Sequence, residues 1–275
     1  MDKKQNCLMK TMLITLVLAF VFACIPMPGN AQNEPTVFAI VDFMKVKPSQ
    51  EAKYVDLEKN VWKPMHQERI KQGKITGWIL YKILYTGTSD PYNYATVTFF
   101  DKPANLEDPW AGIDAQKILP GKDIDKLMNE TGEARDLVKS NLIYRQDEVV
   151  PEGAPGDVKY IEVDYMKVKP GKDAAYLDAE KTIWAPIHKE FVKAGTRAGW
   201  SLWSQVFPGG AGADYQYVTA NYYPDFSKIG MADYNAAFKK AHPGKDMDAL
   251  GKKTEDTRDL VRSELWQVVD MVMKQ

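Results

Sequence analysis

Apolar and polar positions along this chain follow two periods, in an order that occurs twice. Residues 37–46 are β-branched and aromatic, and in Phe38-Ala39-Ile40-Val41-Asp42-Phe43-Met44 both alternating faces are largely apolar. That pattern predicts a strand buried on both sides, closed by Pro48. Over residues 49–72 the spacing turns helical, with Tyr54, Leu57, Val61, Met65 and Arg69 three or four positions apart, and Gly73 stands at the C-cap. Residues 78–86 and 92–100 read as the strands of a hairpin, 123–141 as a second helix and 142–150 as a last strand. The order β-α-β-β-α-β is the ferredoxin-like split unit. It recurs through residues 159–168, 172–194, 197–207, 215–223, 246–263 and 264–273.

The repetition extends to individual residues. Asp42-Phe43-Met44-Lys45-Val46-Lys47-Pro48 returns as Asp164-Tyr165-Met166-Lys167-Val168-Lys169-Pro170, and four blocks agree with their partners at 25 of 38 positions. The offset is 122 early and 123 later, the extra residue falling in the hairpin turn, where insertions are tolerated. The chain therefore divides into residues 32–150 and 157–275, joined through the Pro- and Gly-rich 151–156. An antiparallel sheet with helices on one face needs cover on the other. We expect an α+β fold in which the two sheets pack on one another within the chain.

The strand ending Val168-Lys169-Pro170-Gly171-Lys172 resembles the start of units in the dimeric α/β-barrel superfamily, which includes antibiotic-biosynthesis monooxygenase-like and NIPSNAP-like proteins. The resemblance implies a tandem fusion of two ferredoxin-like units into an intramolecular, pseudo-dimeric α/β barrel with a small-molecule cavity. Activities in that group run from oxygenation and haem chemistry to binding alone, so the resemblance selects no reaction.

Composition narrows the classes. A net charge of −1 with both signs interspersed lacks the basic footprint of a nucleic-acid binder. Lys3, Lys4 and Lys10 precede an apolar run over residues 12–25, then Pro26, Pro28 and Gly29 ahead of Asn30-Ala31-Gln32. This reads as a signal peptide over residues 1–31, and so as a secreted or periplasmic protein with no transmembrane segment after its removal. Val21-Phe22-Ala23-Cys24 offers a competing reading, a lipoprotein anchored through Cys24. Cys7 and Cys24 are the only cysteines, so the mature chain has no thiol.

Candidate chemistry lies on the first helix of each unit. Glu58, Trp62 and His66 follow at four-residue steps, and Glu180, Trp184 and His188 repeat them. Pro64 and Pro186 leave the carbonyls of Asn60 and Thr182 without a helical donor, which should kink the helix. The stripe reads either as a pocket in which imidazole and carboxylate exchange a proton, or as packing, with Trp against the sheet. If it is a pocket only, His66→Ala should leave the melting temperature unchanged. Arg135 and Arg258, in the repeated Thr-x-x-x-Arg-Asp-Leu-Val, either pair with neighbouring Asp on a helix or turn toward an anionic ligand or toward Glu58 and Glu180. Tyr94, Thr96 and Thr98, and likewise Tyr217, Thr219 and Asn221, share strand faces that line a cavity in the barrel or meet solvent, and Asp42 and Asp164 either are buried carboxyls of raised pKa or end the strand pairing. His242, before Pro243-Gly244, reads as a loop residue, and Trp110 has no counterpart in the second copy.

No HExxH, CxxCH, GxSxG or phosphate loop is present. The expectation is a small-molecule binder for an aromatic or apolar ligand, with no cofactor and no metal. The alternatives are a monooxygenase-like or haem-linked enzyme using His66 or His188, and a non-catalytic interaction module. Monomer and homo-oligomer are both open.

Overall fold

The computed structural model describes residues 36–152 and 157–275, and residues 35–275 cluster as one compact unit. The signal-peptide reading and most of the linker fall outside the described residues. In the first half β1 (Phe38–Val46) leads to a broken helix, α1 (Glu51–Leu57) and α2 (Lys63–Lys71), then to the hairpin β2 (Gly77–Ile83) and β3 (Tyr94–Phe100). Two short helices, α3 (Ala115–Ile118) and α4 (Ile124–Ala134), precede β4 (Arg135–Val149). The second half repeats this as β5 (Tyr160–Val168), α5 (Asp173–Ala179), α6 (Ala185–Lys193), β6 (Gly199–Phe207), β7 (Tyr217–Tyr223), α7 (Tyr234–Ala241), α8 (Met247–Glu255) and β8 (Arg258–Met273).

All strand pairs are antiparallel, and the pairing order β1-β3-β2-β8-β5-β7-β6-β4 returns to β1. The joints are made by the two long strands. The first part of β4 pairs with β1 of its own half, and Leu142–Val149 crosses to β6. Likewise β8 pairs first with β5 and then, from Trp266 to Met273, with β2. At about 3.3 Å per residue, strands of 15 and 16 residues are long enough to serve two neighbours in succession. The two sheets are thus joined edge to edge into one, which differs from two separate layers laid face to face.

This arrangement corrects the second helix of each unit. Residues 135–141 and 258–263, expected as helix, are strand, because Arg135 leaves α4 with extended backbone (φ −150°, ψ 154°). Nothing local signals the change. Leu137, Val138, Leu260 and Val261 are exposed, so no buried face imposes an alternating pattern there.

Strand residues divide between two cores by parity. Ala39, Val41, Phe43, Ala95 and Val97 turn into the ring and meet Val163, Tyr165, Trp203 and Trp266 of the other half. Their partners in alternation, among them Met44, Tyr94 and Phe100, pack outward against the helices with Tyr54, Leu57 and Trp78. Both faces of the central strands are apolar for this reason. The ring interior is nearly filled, with a void of about 70 Å³. Near one end Glu264 accepts from the Tyr92 hydroxyl (2.6 Å) and Arg262 Nε (2.8 Å) on one oxygen, and from Tyr165 (2.9 Å) and Trp266 Nε1 (2.9 Å) on the other. Tyr92 comes from the first half, so this carboxylate ties the halves together. Among the described residues no helix is long and apolar enough to cross a membrane.

Candidate functional site

Two cavities that could hold a small molecule, one in each half, lie outside the ring, between helices and sheet. The ring interior, where a cavity was expected, holds a void of about 70 Å³, and a further cavity of about 630 Å³ opens near the ring's end among Tyr92, Lys139, Arg262 and Glu264. In the first half, a π-turn over Glu58–Trp62 separates α1 from α2, and the Lys63 amide closes it by donating to the Glu58 carbonyl five residues back. Pro64 explains the break, since it lacks the donor that a regular helix would need. Glu180–Trp184 repeats the turn ahead of Pro186. In an unbroken α-helix, residues four apart are offset by roughly 40° around the axis. The extra residue of a π-turn winds part of that back, so Glu58, Trp62 and His66 stay on one face.

All eight candidate residues line these cavities. Glu58, Trp62, His66 and Arg135 surround a space of about 480 Å³ in the first half, and Glu180, Trp184, His188 and Arg258 one of about 200 Å³ in the second. The repeated Thr-x-x-x-Arg also finds its reason. Thr131 Oγ1 accepts from Trp62 Nε1 (3.2 Å), Thr254 Oγ1 does the same for Trp184 (2.8 Å), and the arginine four residues on begins the next strand beside the glutamate. No ion pair with Asp136 or Asp259 forms. Arg135 Nε and Arg258 Nε are instead buried without a hydrogen-bond partner. Thr96 and Thr98 line the first cavity, and Thr219 and Asn221 the second.

Burial sets the electrostatics. Glu58 is 3% exposed, and desolvation pushes its carboxyl up to about 7 against the opposing pull of the nearby Tyr54 hydroxyl and the Arg135 guanidinium. Glu180 is pushed up to about 7 in the same way, with Arg258 as the main opposing charge. Burial also raises Asp42, and raises Asp164 to about 6. Both line the cavities. His66 is held well below the usual imidazole range by burial and then by the Arg69 cation; His188 is held down by burial and Arg197.

The histidines are both packed and placed. The His66 ring stacks on Trp78 at 4.9 Å and 20°, and Arg69 Nη1 lies 2.9 Å from its Nδ1. His188 stacks on Trp200 at 4.7 Å and 13°, and Arg197 bonds its Nδ1. A guanidinium only donates, so Nδ1 must be the bare acceptor and a neutral ring carries its proton on Nε2. His66→Ala therefore removes packing as well as a cavity wall, and an unchanged melting temperature is no longer expected.

Some site residues were not legible in the sequence. Arg69 reads there as one member of an apolar helical stripe, and Arg197 and Tyr234 have no repeated partner. Trp110, set aside for that reason, covers the first cavity: its ring lies 5.8 Å from Trp62 and 5.4 Å from His66, with the Arg69 guanidinium 4.0 Å above it. His242 closes α7 and its Nε2 lies 2.9 Å from the Ile183 carbonyl, so it is a helix cap and not a free loop residue. Trp110 is 38% exposed. Trp110→Ala should accordingly change stability by about 1 kcal/mol and weaken an aromatic ligand three- to tenfold, roughly the worth of one lost ring contact. Denaturant midpoints and tryptophan-quenching titrations of the same variant read the two effects.

No protein-family model matches the chain, and no curated protein matches its sequence. Solved structures do match its fold. A candidate monooxygenase from Fusobacterium nucleatum aligns over 87% of this chain and 94% of its own at 13% identity (TM-score 0.56). A candidate monooxygenase from Lactobacillus acidophilus aligns over 88% and 97% at 10% identity (TM-score 0.52). Both matches span the two halves of this chain and show the fold that the strand-end resemblance implies, that of a dimeric α/β barrel.

The expectation of no cofactor is not upheld: a haem-binding protein from Thermus thermophilus is also among the similar solved structures (10% identity, 86% of this chain and 93% of that one, TM-score 0.44). Whether His66 or His188 fits haem can be judged from their surroundings. An axial imidazole needs a bare nitrogen facing the iron, usually with its other N–H given to an acceptor. Here the bare Nδ1 faces a guanidinium and the proton is on Nε2. Neither histidine fits as an axial ligand, and no step is assigned through haem.

Proposed function

We propose that this protein is a monooxygenase-like enzyme whose first-half cavity binds a small, flat, weakly acidic organic molecule and takes a proton from it through Glu58. The observation that carries this reading is Glu58 itself, a carboxyl titrating at about 7 on the wall of a cavity of about 480 Å³. A base with that pKa is part ionised and basic enough to act near neutral pH. Trp62 and Trp110 supply aromatic walls for a flat ligand, and Arg135, with its buried unpaired Nε, supplies charge for the anion formed. The proton moves from a C–H or O–H acid of the substrate to a Glu58 oxygen. The electron pair stays on the substrate, and molecular oxygen is the oxidant that consumes this electron-rich species: one oxygen atom enters the substrate as a new carbonyl, and the other leaves as water with two hydrogens of the substrate, which itself supplies the two electrons. The monooxygenase-like fold of two neighbours supports the same reaction class.

In this proposal the two halves stand in for the two subunits of a dimer, and the N-terminal 31 residues direct the chain out of the cytoplasm. The smaller second-half cavity keeps the same machinery in too little space for the same ligand. The test is oxygen uptake by the mature protein with hydroxynaphthalenes and with polycyclic ketones bearing acidic CH₂ groups. Saturable, protein-dependent uptake with at least one of them is expected. If none is consumed and none quenches tryptophan fluorescence, the reading fails.

A further inference from the structure

The same atom of the same histidine is held in both halves by arginines from positions that do not correspond. Arg69 lies on α2, one turn after His66, and its counterpart at the repeat offset is Phe191. Arg197 lies in the connection between α6 and β6, and its counterpart is Ile75. Each guanidinium is fixed by further contacts. Arg69 Nε donates to the Pro109 carbonyl (3.0 Å) and its plane covers Trp110. Arg197 Nη2 donates to the Tyr234 hydroxyl (2.8 Å), and the group lies 4.7 Å from the centre of Phe191, the ring that occupies the Arg69 position. A pair copied by duplication alone would use one position. Two different routes to Nδ1 indicate that the state of the imidazole is what both halves retain.

We propose that Arg69 and Arg197 are positioning residues that lock His66 and His188 as neutral Nε2–H donors, and that the ligand of the first-half cavity presents a carbonyl or phenolate-type oxygen to His66. Nε2 of His66 has no protein partner and is not among the buried unpaired atoms, so its hydrogen is free for an occupant. Stacking on Trp78 fixes the ring plane and hence the direction of that donor. A neutral imidazole polarises an oxygen without delivering a proton to it, and a fixed donor is most effective where negative charge develops. Resting on the proton abstraction proposed for Glu58, this assigns the substrate class: an aromatic compound with a hydroxyl or carbonyl conjugated to the acidic position.

The first test is long-range ¹H–¹⁵N correlation on histidine-labelled mature protein, which has only the three histidines at 66, 188 and 242. Near neutral pH, His66 and His188 should each show a protonated Nε2 and a bare Nδ1. A proton on Nδ1, or an imidazolium, in the wild type overturns the proposal without recourse to any variant. Arg69→Ala should release His66 to a tautomer mixture while His188 is unchanged. Arg69→Phe combined with Ile75→Arg, which transplants the second-half arrangement, should restore the locked form. A folded double variant that leaves His66 mixed overturns the equivalence of the two routes. The second test compares 2-naphthol with naphthalene by tryptophan quenching. The wild type should favour the naphthol about tenfold, the worth of one hydrogen bond near 1.4 kcal/mol, and Arg69→Ala should lose most of that preference. Equal binding of the pair overturns the ligand assignment even where oxygen uptake occurs. A preserved preference without uptake sinks the reaction and leaves this inference standing.

Discussion

In a Glu58→Gln variant, substrate-dependent oxygen uptake falls by roughly 10²- to 10⁴-fold, the usual contribution of a positioned general base. Glutamine keeps the shape of the side chain and removes its basicity, so the fall should appear in kcat more than in KM. Ligand affinity should change little, because Trp62, Trp110 and His66 are untouched. The Glu180→Gln variant is the internal control: its cavity has less than half the volume, so uptake should stay near the wild-type rate. A Glu58→Gln protein with undiminished uptake would remove Glu58 from the reaction. Equal losses in both variants would point to two working sites.

The second large effect concerns stability and pH. Both glutamates titrate at about 7 in the fold, against an ordinary value of 4.5. A raised carboxyl pKa means that the folded state holds the proton more tightly. The resulting stabilisation is complete below about pH 4.5 and is lost as pH rises through about 7. From about pH 5 to about pH 8 that loss is roughly 2–3 kcal/mol per carboxyl. The histidines work in the opposite direction. Their pKa is depressed in the fold, so acid favours the unfolded chain, and stability rises with pH up to the ordinary imidazole value. The two slopes oppose each other in the wild type across the mildly acid range. A Glu58→Gln/Glu180→Gln variant removes one of them. Its stability relative to wild type should therefore climb by about 5 kcal/mol between about pH 5 and about pH 8, read from denaturant midpoints at each pH. Parallel profiles would mean that neither carboxyl is held in its protonated form.

These expectations treat the stripe as site and packing together. His66 is 5% exposed and stacked on Trp78, yet it borders the cavity and keeps one nitrogen free of protein partners. Most buried polar groups find a hydrogen-bond partner, and arginine supplies one to Nδ1 in both halves. The alternatives of pocket and packing seam therefore do not exclude each other for this residue. The halves are not equivalent either. Glu162, Asn221 and Tyr223 form a polar cluster on the second-half sheet, where the first half has Ile40, Thr98 and Phe100. Internal repetition preserved the machinery while these positions on the two sheets diverged.

Most of the element order was legible because buried faces impress their period on the chain. β1 is apolar on both sides since one face meets the ring core and the other meets the helices. The repeat was equally legible, and it selected Glu58, Trp62, His66 and Arg135 with their partners before any geometry was known. Residues 135–141 were misread for the complementary reason: Leu137 and Val138 face solvent, so no buried face constrains their pattern. Arg69, Trp110, Arg197 and Tyr234 escaped because repetition was the filter, and each half completed its site with residues of its own.

What the sequence determined by itself is the duplicated βαββαβ unit, the break in its first helix at proline, and the residues both copies share. These follow from local rules of period, ring closure and missing donors. Only the tertiary structure decided that the long strands β4 and β8 join the halves into one ring, that the ring is filled and the cavities lie outside it, and that a guanidinium sets the tautomer of each histidine. Those outcomes depend on groups far apart in sequence: Arg197 and Tyr234 meet across 37 residues, and Tyr92 and Glu264 across 172. Contacts at such separations have no period to betray them.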